Sequence, residues 1–299
     1  MMNNNLYITD KSANLTTMRD PMVLVADGKY YITGTQPPYF DGDNEGVHLW
    51  STKDFEKFED CGLILKRADM PETLWCRDRF WAPELFDGKD GWFYLTFNCC
   101  NEGPEHIKKL KNVGIARSRK VTGPYEILSY DKALTEGLRG GNDGSMFADD
   151  DGKLYLLCNE KDAIMLYEYD KENVCLLNGR AICERGKNNE WDSAGVEGPC
   201  LVKKHNKYFL WYSSWTNGYN AGICTADSID GPWEKSKQNP VIGDNDLWHH
   251  AGHNHSFTSL DGKDYLIFHA NIKNPEEEDV ERIIIRPVEY LKDGTVKLK

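Results

Sequence analysis

The sequence predicts an all-β fold, a five-bladed β-propeller that occupies residues 1–299 as one domain. Three observations carry that prediction. A tight-turn signature returns five times at a nearly even spacing, a β-branched or aromatic strand follows each return, and helical periodicity is almost absent. The turn markers are Gly28, Gly91, Gly152, Asn206 and Gly262, separated by 63, 61, 54 and 56 residues. Repeated antiparallel sheets of about four strands each, in a chain of this length, fit a radial arrangement. A pair of packed sheets explains no even period.

Each unit opens with a short segment that leads into its hairpin. The first runs Arg19-Asp20-Pro21-Met22-Val23 to the turn Asp27-Gly28-Lys29, then Tyr30-Tyr31-Ile32-Thr33. The second opens Trp81-Ala82-Pro83-Glu84-Leu85, turns at Asp90-Gly91 and continues Trp92-Phe93-Tyr94-Leu95-Thr96. The third runs Asn142-Asp143-Gly144-Ser145-Met146-Phe147, turns at Asp151-Gly152-Lys153 and continues Leu154-Tyr155-Leu156-Leu157. The fourth opens Gly195-Val196-Glu197-Gly198-Pro199, turns at His205-Asn206-Lys207 and continues Tyr208-Phe209-Leu210-Trp211-Tyr212. The fifth opens Gly252-His253-Asn254-His255-Ser256, turns at Asp261-Gly262-Lys263 and continues Asp264-Tyr265-Leu266-Ile267-Phe268. A tight-turn dipeptide before such a run is the strongest local hairpin signal. Later in two units, Thr122-Gly123-Pro124-Tyr125 and Asp230-Gly231-Pro232-Trp233 form a matching pair of turns. The best helical stretches, around 104–111 and 131–138, are too short and broken to be architecture. The N-terminal ~12 residues precede the first unit and are expected to form a closing strand or an extended arm.

Charge narrows the function. There are 36 Lys plus Arg against 48 Asp plus Glu, a net −12. That balance argues against nucleic acid as a partner, which wants a basic face, and against an anionic membrane surface. No apolar run approaches the ~20 residues of a bilayer span. The start, Met-Met-Asn-Asn-Asn, shows no secretory signal, so a cytoplasmic location is expected, a trimmed secreted form being the alternative. The nine cysteines include no CxxC, and Cys99-Cys100 is the only close pair. Zinc and thioredoxin-type readings therefore have no spacing to rest on, and reduced structural thiols are expected.

In a propeller the innermost strand of each blade begins at one mouth of the central channel. Asp20 lies eight residues before its marker; Asp143, Glu197 and His253 each lie nine before theirs. Any one of these is an ordinary turn or cap residue. Three carboxylates at matched positions are different, because like charges in a cleft raise one another's pKa. Such an arrangement suits acid–base chemistry, with one carboxyl protonated and another ionised. Glu197, among small and apolar neighbours, is the better acid. Asp20, beside Arg19, is the better base.

At this point the chain resembles the five-bladed inverting glycoside hydrolases of family 43, among which arabinofuranosidases, xylosidases, arabinanases and galactosidases occur. The resemblance spans about residues 16–294. Arg19-Asp20-Pro21, Trp81-Ala82-Pro83-Glu84, Asp143-Gly144-Ser145-Met146-Phe147, Glu197-Gly198-Pro199 and Gly252-His253-Asn254 carry it, all in order at blade spacing. It implies catalytic roles for Asp20 as the general base that activates water, Glu197 as the general acid, and Asp143 as the carboxylate that orients the acid. It implies inversion, with the Asp20 and Glu197 carboxyls roughly 6.5–9.5 Å apart. It also implies that Arg282 (Arg286 being the alternative) is a basic residue near the sugar, with Arg19, Trp81 and His253 among the substrate-binding residues. His253 matches a channel histidine that in some relatives helps hold a calcium ion or ordered water. Here Ser256 stands one place later than in the usual form, so His255 is the alternative axial residue. No other cofactor is implied.

The partner so implied is an oligosaccharide derived from plant polysaccharide, of the α-L-arabinofuranosidase or β-xylosidase type. A related galactosidase or endo-arabinanase activity is the alternative within the class, and a catalytically silent sugar-binding propeller the alternative outside it. Retaining fructan-cleaving propellers need an Asn-Asp-Pro-Asn-Gly motif and a Glu-Cys acid, and neither is present. Trp75, Phe80, Tyr39, Trp215 and Trp248 are further candidate sugar walls. Long inserts at Pro37–Val47 and Asn98–Lys111 favour exo action on short oligosaccharides.

Overall fold

The computed structural model describes residues 8, 15–40, 44–101, 111–138, 140–273 and 281–299. Five four-stranded antiparallel meanders follow one another along the chain. Blade 1 comprises β1 (Arg19–Ala26), β2 (Lys29–Thr35), β3 (Gly46–Thr52) and β4 (Phe58–Lys66). Blade 2 comprises β5 (Asp78–Asp87), β6 (Phe93–Cys100), β7 (Asn112–Ser118) and β8 (Glu126–Ile127). Blade 3 comprises β9 (Asn142–Ala148), β10 (Leu154–Glu160), β11 (Ala163–Asp170) and β12 (Cys175–Glu184). Blade 4 comprises β13 (Glu197–Lys204), β14 (Lys207–Ser214), β15 (Asn220–Ala226) and β16 (Glu234–Lys235). Blade 5 comprises β17 (Trp248–Thr258), β18 (Asp264–Ile272), β19 (Glu281–Tyr290) and β20 (Val296–Leu298). The first strands touch in a closed ring, β1 to β5, β9, β13, β17 and back to β1, which is the five-bladed propeller.

The repeated turns do what the sequence requires of them. Gly28, Gly91, Gly152, Asn206 and Gly262 all take left-handed backbone, with φ of 69°, 83°, 83°, 61° and 79°. Glycine and asparagine reach that region most readily. The matched Gly123-Pro124 and Gly231-Pro232 bonds are both cis.

The second strand of each blade is apolar without alternation because a blade is buried on both faces. Along β14, Leu210 and Tyr212 pack with Leu157 and Leu166 of blade 3, whereas Phe209 and Trp211 pack with Phe268 and Ile284 of blade 5. Along β10, Leu156 joins Tyr94 and Ile115 of blade 2, and Leu157 turns the other way. Five such clusters fill the five junctions, the last joining Ile267 and Ile283 of blade 5 to Ile32 and Trp50 of blade 1. Ile8 belongs to that last cluster, and its N–H donates to the Ile283 carbonyl at 3.0 Å. The rest of the expected N-terminal arm lies outside the described residues.

Residues 131–138 form turns, as their broken pattern implies, and most of the 104–111 stretch lies outside the described residues. All nine cysteines are free thiols, seven of them buried. Among the described residues no helix is long and apolar enough to cross a membrane.

Candidate active site

Each inner strand carries the same interruption. Asp20, Ala82, Asp143, Gly198 and His253 all have left-handed φ, at 51°, 41°, 53°, 57° and 46°. Beside them the ladder slips, between Arg19 and Met22 in β1, Trp81 and Glu84 in β5, Glu197 and Cys200 in β13, and Gly252 and His255 in β17. In β9 the slip falls opposite Leu157 and Asn159. Pro21, Pro83 and Pro199 follow three of these residues and put a ring without an N–H where the ladder is broken. Four of the five are not glycine, and such backbone costs about 1–3 kcal/mol per residue, a strain that collects at functional sites. What it achieves is direction, since a bulge re-aims the side chains beside it. Arg19, Asp20, Trp81, Asn142, Asp143, Glu197 and His253 thereby line one pocket of about 270 Å³, completed by Thr35, Tyr39, Phe40, Lys111, Trp215 and Tyr219.

On the blade 1 side, Asp20 is held in its ionised form. Thr35 donates to its Oδ2 at 2.6 Å, and the same hydroxyl accepts the Ala82 N–H at 2.7 Å. His253 Nδ1 lies 3.2 Å from Asp20 Oδ1. Burial pushes this carboxyl up, but the His253 charge outweighs it with help from the Thr35 hydrogen bond and Arg19, leaving it below the usual carboxylate range. Behind it, His269 Nδ1 accepts the Asp20 N–H at 3.1 Å, and burial drives that imidazole down to about 3, so it is neutral. Arg19 turns to Glu281, 3.2 Å from Nε to Oε1.

On the blade 4 side, the surroundings favour the protonated form of Glu197. Burial first, then the charge of Asp143, pushes it up to about 7 against the pull of His253 and of the Tyr219 hydroxyl. Tyr219 donates to Glu197 Oε1 at 2.8 Å. Asp143 accepts from Asn98 Nδ2 at 2.8 Å and from the Gly198 N–H at 3.0 Å, and so grips the peptide next to the acid. Burial also raises Asp143, with His253 opposing and Asp20 adding to the rise. His253 stands between the two sides, its Nδ1 also 4.0 Å from Asp143 Oδ2 and its N–H donating to Ser213 Oγ at 2.8 Å. Burial disfavours its charge, but Asp20, Asp143, Glu197 and Glu84 together raise it above the ordinary value. Gly198 is required here, because a Cβ would come within 3.2 Å of the His253 ring.

The model of glycosyl hydrolases family 43 matches residues 15–296. The chain belongs to this family of glycoside hydrolases. Among curated relatives, a β-D-galactofuranosidase from Aspergillus niger is 24% identical over 87% of this chain and 76% of that protein. A xylosidase/arabinosidase from Humicola insolens is 27% identical over 83% of this chain and 46% of its own, so the chain spans about half of that relative. An endo-1,4-β-xylanase from Bacteroides thetaiotaomicron superposes with a TM-score of 0.78 at 25% identity, covering 96% of each chain.

In this family-43 site the structure brings Asp20, Asp143, Glu197, His253, Arg19 and Trp81 together at one mouth. Arg282 is not among the residues that line the pocket; it is buried on β19, its Nη1 donating to the Glu281 carbonyl, one residue from the partner of Arg19. Arg286 lies over the Trp248 ring instead. Among the described residues, Arg19 is the arginine that lines the pocket. Trp81 gives its Nε1–H to the Tyr39 carbonyl at 2.6 Å, and the Lys111 ammonium sits 4.5 Å from its ring centre. Of the other aromatic candidates, Tyr39 and Trp215 line the pocket, whereas Trp75, Phe80 and Trp248 are core residues. The parts of the two long inserts at 41–43 and 102–110 lie outside the described residues.

Of the two histidines, His253 faces the pocket. His255 lies two residues on and is half-buried, its pKa pushed by desolvation down to about 4; among the described residues its Nδ1 has no hydrogen-bond partner, nor has either side-chain polar atom of Asn254. Calcium wants six to eight oxygen ligands. His253 is engaged as a cation with carboxylates, His255 offers nitrogen, and among the described residues no three His, Cys, Asp or Glu side chains are placed to hold a metal. The residues present therefore do not make a protein-built calcium cage.

Sequence reasoning passed over several of the site's residues. Glu84 was in view within Trp81-Ala82-Pro83-Glu84 but carried no role; it is buried facing His253 and Asp143, and burial pushes it up to about 7. Its place in a matched motif was the available signal. Thr35, Tyr219 and His269 had none, because they reach the site from second strands and a hairpin loop rather than from the repeated openings.

Proposed function

We propose that this family-43 enzyme hydrolyses α-L-arabinofuranosyl or β-xylosyl linkages of plant-derived oligosaccharides with inversion of configuration. One observation carries the reading: Asp20, Asp143 and Glu197 converge on a single pocket, where the surroundings favour the ionised form of Asp20 and the protonated form of Glu197. Asp20 takes a proton from water as that oxygen attacks the anomeric carbon. The glycosidic C–O bond breaks, and its electrons go to the leaving oxygen, which takes the Glu197 proton. Asp143 acts as a positioning residue through the Gly198 N–H, and its charge keeps Glu197 protonated. The His253 cation compensates Asp20 and Asp143. Relatives named as xylosidase/arabinosidase support the pentose assignment.

The test is a panel of aryl α-L-arabinofuranosides, β-D-xylosides and β-D-galactofuranosides, with the first-formed anomer followed by proton NMR. Hydrolysis of a pentoside with inversion is expected. Retention, or undiminished activity in Glu197→Ala, would overturn the assignment. Tight oligosaccharide binding without turnover would support the silent-propeller alternative.

A further inference from the structure

Tyr219 occupies the β14–β15 hairpin loop, outside every repeated motif, yet its side chain touches both halves of the site. Its hydroxyl donates to Glu197 Oε1 at 2.8 Å. Its ring stacks on His269, with centroids 5.4 Å apart and planes 19° from parallel, and His269 Nδ1 accepts the Asp20 N–H. Its own N–H donates to His250 Nδ1 at 3.3 Å. On the open face of the ring lies Gly252, where a Cβ would come within 2.6 Å of the ring carbons. The glycine of Gly252-His253-Asn254 thus has a specific task, which is to leave room for this tyrosine. His269 and Gly252 both pack against the ring.

We propose that Tyr219 is a positioning residue that decides which oxygen of Glu197 carries the proton. In a neutral carboxyl the oxygen that accepts a strong hydrogen bond is the carbonyl one, so the proton resides on Oε2. Oε2 is then the oxygen that delivers it to the leaving group, and Tyr219 keeps the carboxyl from flipping. Burial holds the phenol well above its usual range, so it remains a donor throughout the working pH. The charged groups facing Glu197 are Asp143 from β9, His253 from β17 and Asp20 from β1. The Tyr219 hydrogen bond favours the ionised acid, so removing it moves the alkaline limb of activity to higher pH.

This inference rests on the reading of Glu197 as the acid, and the experiment separates the two. Tyr219→Phe keeps the ring, its stack on His269 and its contact with Gly252, and removes only the oxygen. Brønsted plots of kcat/KM against leaving-group pKa are measured for wild type, Tyr219→Phe and Glu197→Gln, together with pH profiles. Tyr219→Phe is expected to lose about 10-fold or more on alkyl leaving groups and little on dinitrophenyl ones, a fraction of the 10²–10⁴ that a positioned general acid supplies. Its alkaline limb is expected to move up. An equal loss on all leaving groups with the limb in place, or no loss at all, overturns the role of Tyr219. If Glu197→Gln itself shows no dependence on the leaving group, the acid assignment fails instead. Gly252→Ala, which pushes the ring and its hydroxyl away from Glu197 and also crowds Ser213 Oγ, is expected to reproduce the leaving-group signature. Its absence in that variant also counts against the proposal.

Discussion

Asp20 and Glu197 line the same pocket and are both half-buried, yet the surroundings favour the ionised form of one and the protonated form of the other. Burial pushes both carboxyls in the same direction, so burial does not decide the difference. The partners do. Asp20 has an imidazolium 3.2 Å away, a hydroxyl donating at 2.6 Å and an adjacent guanidinium. Glu197 has one phenol donor and the unfavourable charge of Asp143. A propeller that brings equivalent strand openings to one axis generates near-symmetric positions. Acid–base function comes from how unequally each position is then surrounded.

The largest break in that comparison is loss of either member. Asp20→Asn is expected to lower kcat by about 10²–10⁴ on every substrate, because water activation is needed whatever the leaving group. Glu197→Gln is expected to lose a similar factor on natural oligosaccharides and much less on dinitrophenyl glycosides, which leave without a proton. Steady-state kinetics on a leaving-group series checks both. A loss in Asp20→Asn that vanished with activated leaving groups would reverse the assignment.

The pH profile sharpens the same contrast. Asp20 must be ionised, so activity rises as pH climbs through its lowered pKa. Glu197 must hold its proton, so activity falls as pH passes about 7. A bell with its alkaline limb near 7 is the expected kcat/KM profile. Replacing His253 by Asn removes the cation that favours ionisation on both sides. Both limbs are then expected to move to higher pH together. Movement of only one would show that His253 serves one carboxyl alone.

Much of this arrangement was legible in the chain itself. The turn markers predict the blades because a hairpin is decided by a few adjacent residues, and Gly28 to Gly262 adopt the conformation their identity requires. Asp20, Asp143, Glu197 and His253 share nearly the same offset because each lies on an inner strand, at or directly before its left-handed residue. What stayed hidden is contact between blades. His269 meets Asp20 across 249 residues, and Tyr219 reaches Glu197 from a loop with no counterpart in the repeat. Arg282 shows the opposite error, since a basic residue in the expected strand says nothing about which way its side chain turns. Trp75, Phe80 and Trp248 show that aromatic identity alone does not separate a sugar wall from core packing.

Glu84 offers the gentlest way to test the electrostatics, through stability and not turnover. It lies in the same field as Glu197 and is likewise pushed up to about 7 by burial, against the pull of Ser145 and His253. A carboxyl whose folded pKa exceeds its unfolded value of 4.5 stabilises the fold only while protonated. Its contribution is full at low pH and is lost as pH rises from the unfolded value through about 7. With each tenfold in proton affinity worth about 1.4 kcal/mol, the loss is roughly 3 kcal/mol at most. Glu84→Gln keeps an acceptor for Ser145 and cannot ionise. Its thermal midpoint relative to wild type is therefore expected to rise between pH 5 and pH 8. A difference that stayed flat across that range would mean that Glu84 is ionised in the fold, and that burial at this axis does not govern protonation as it does for Glu197.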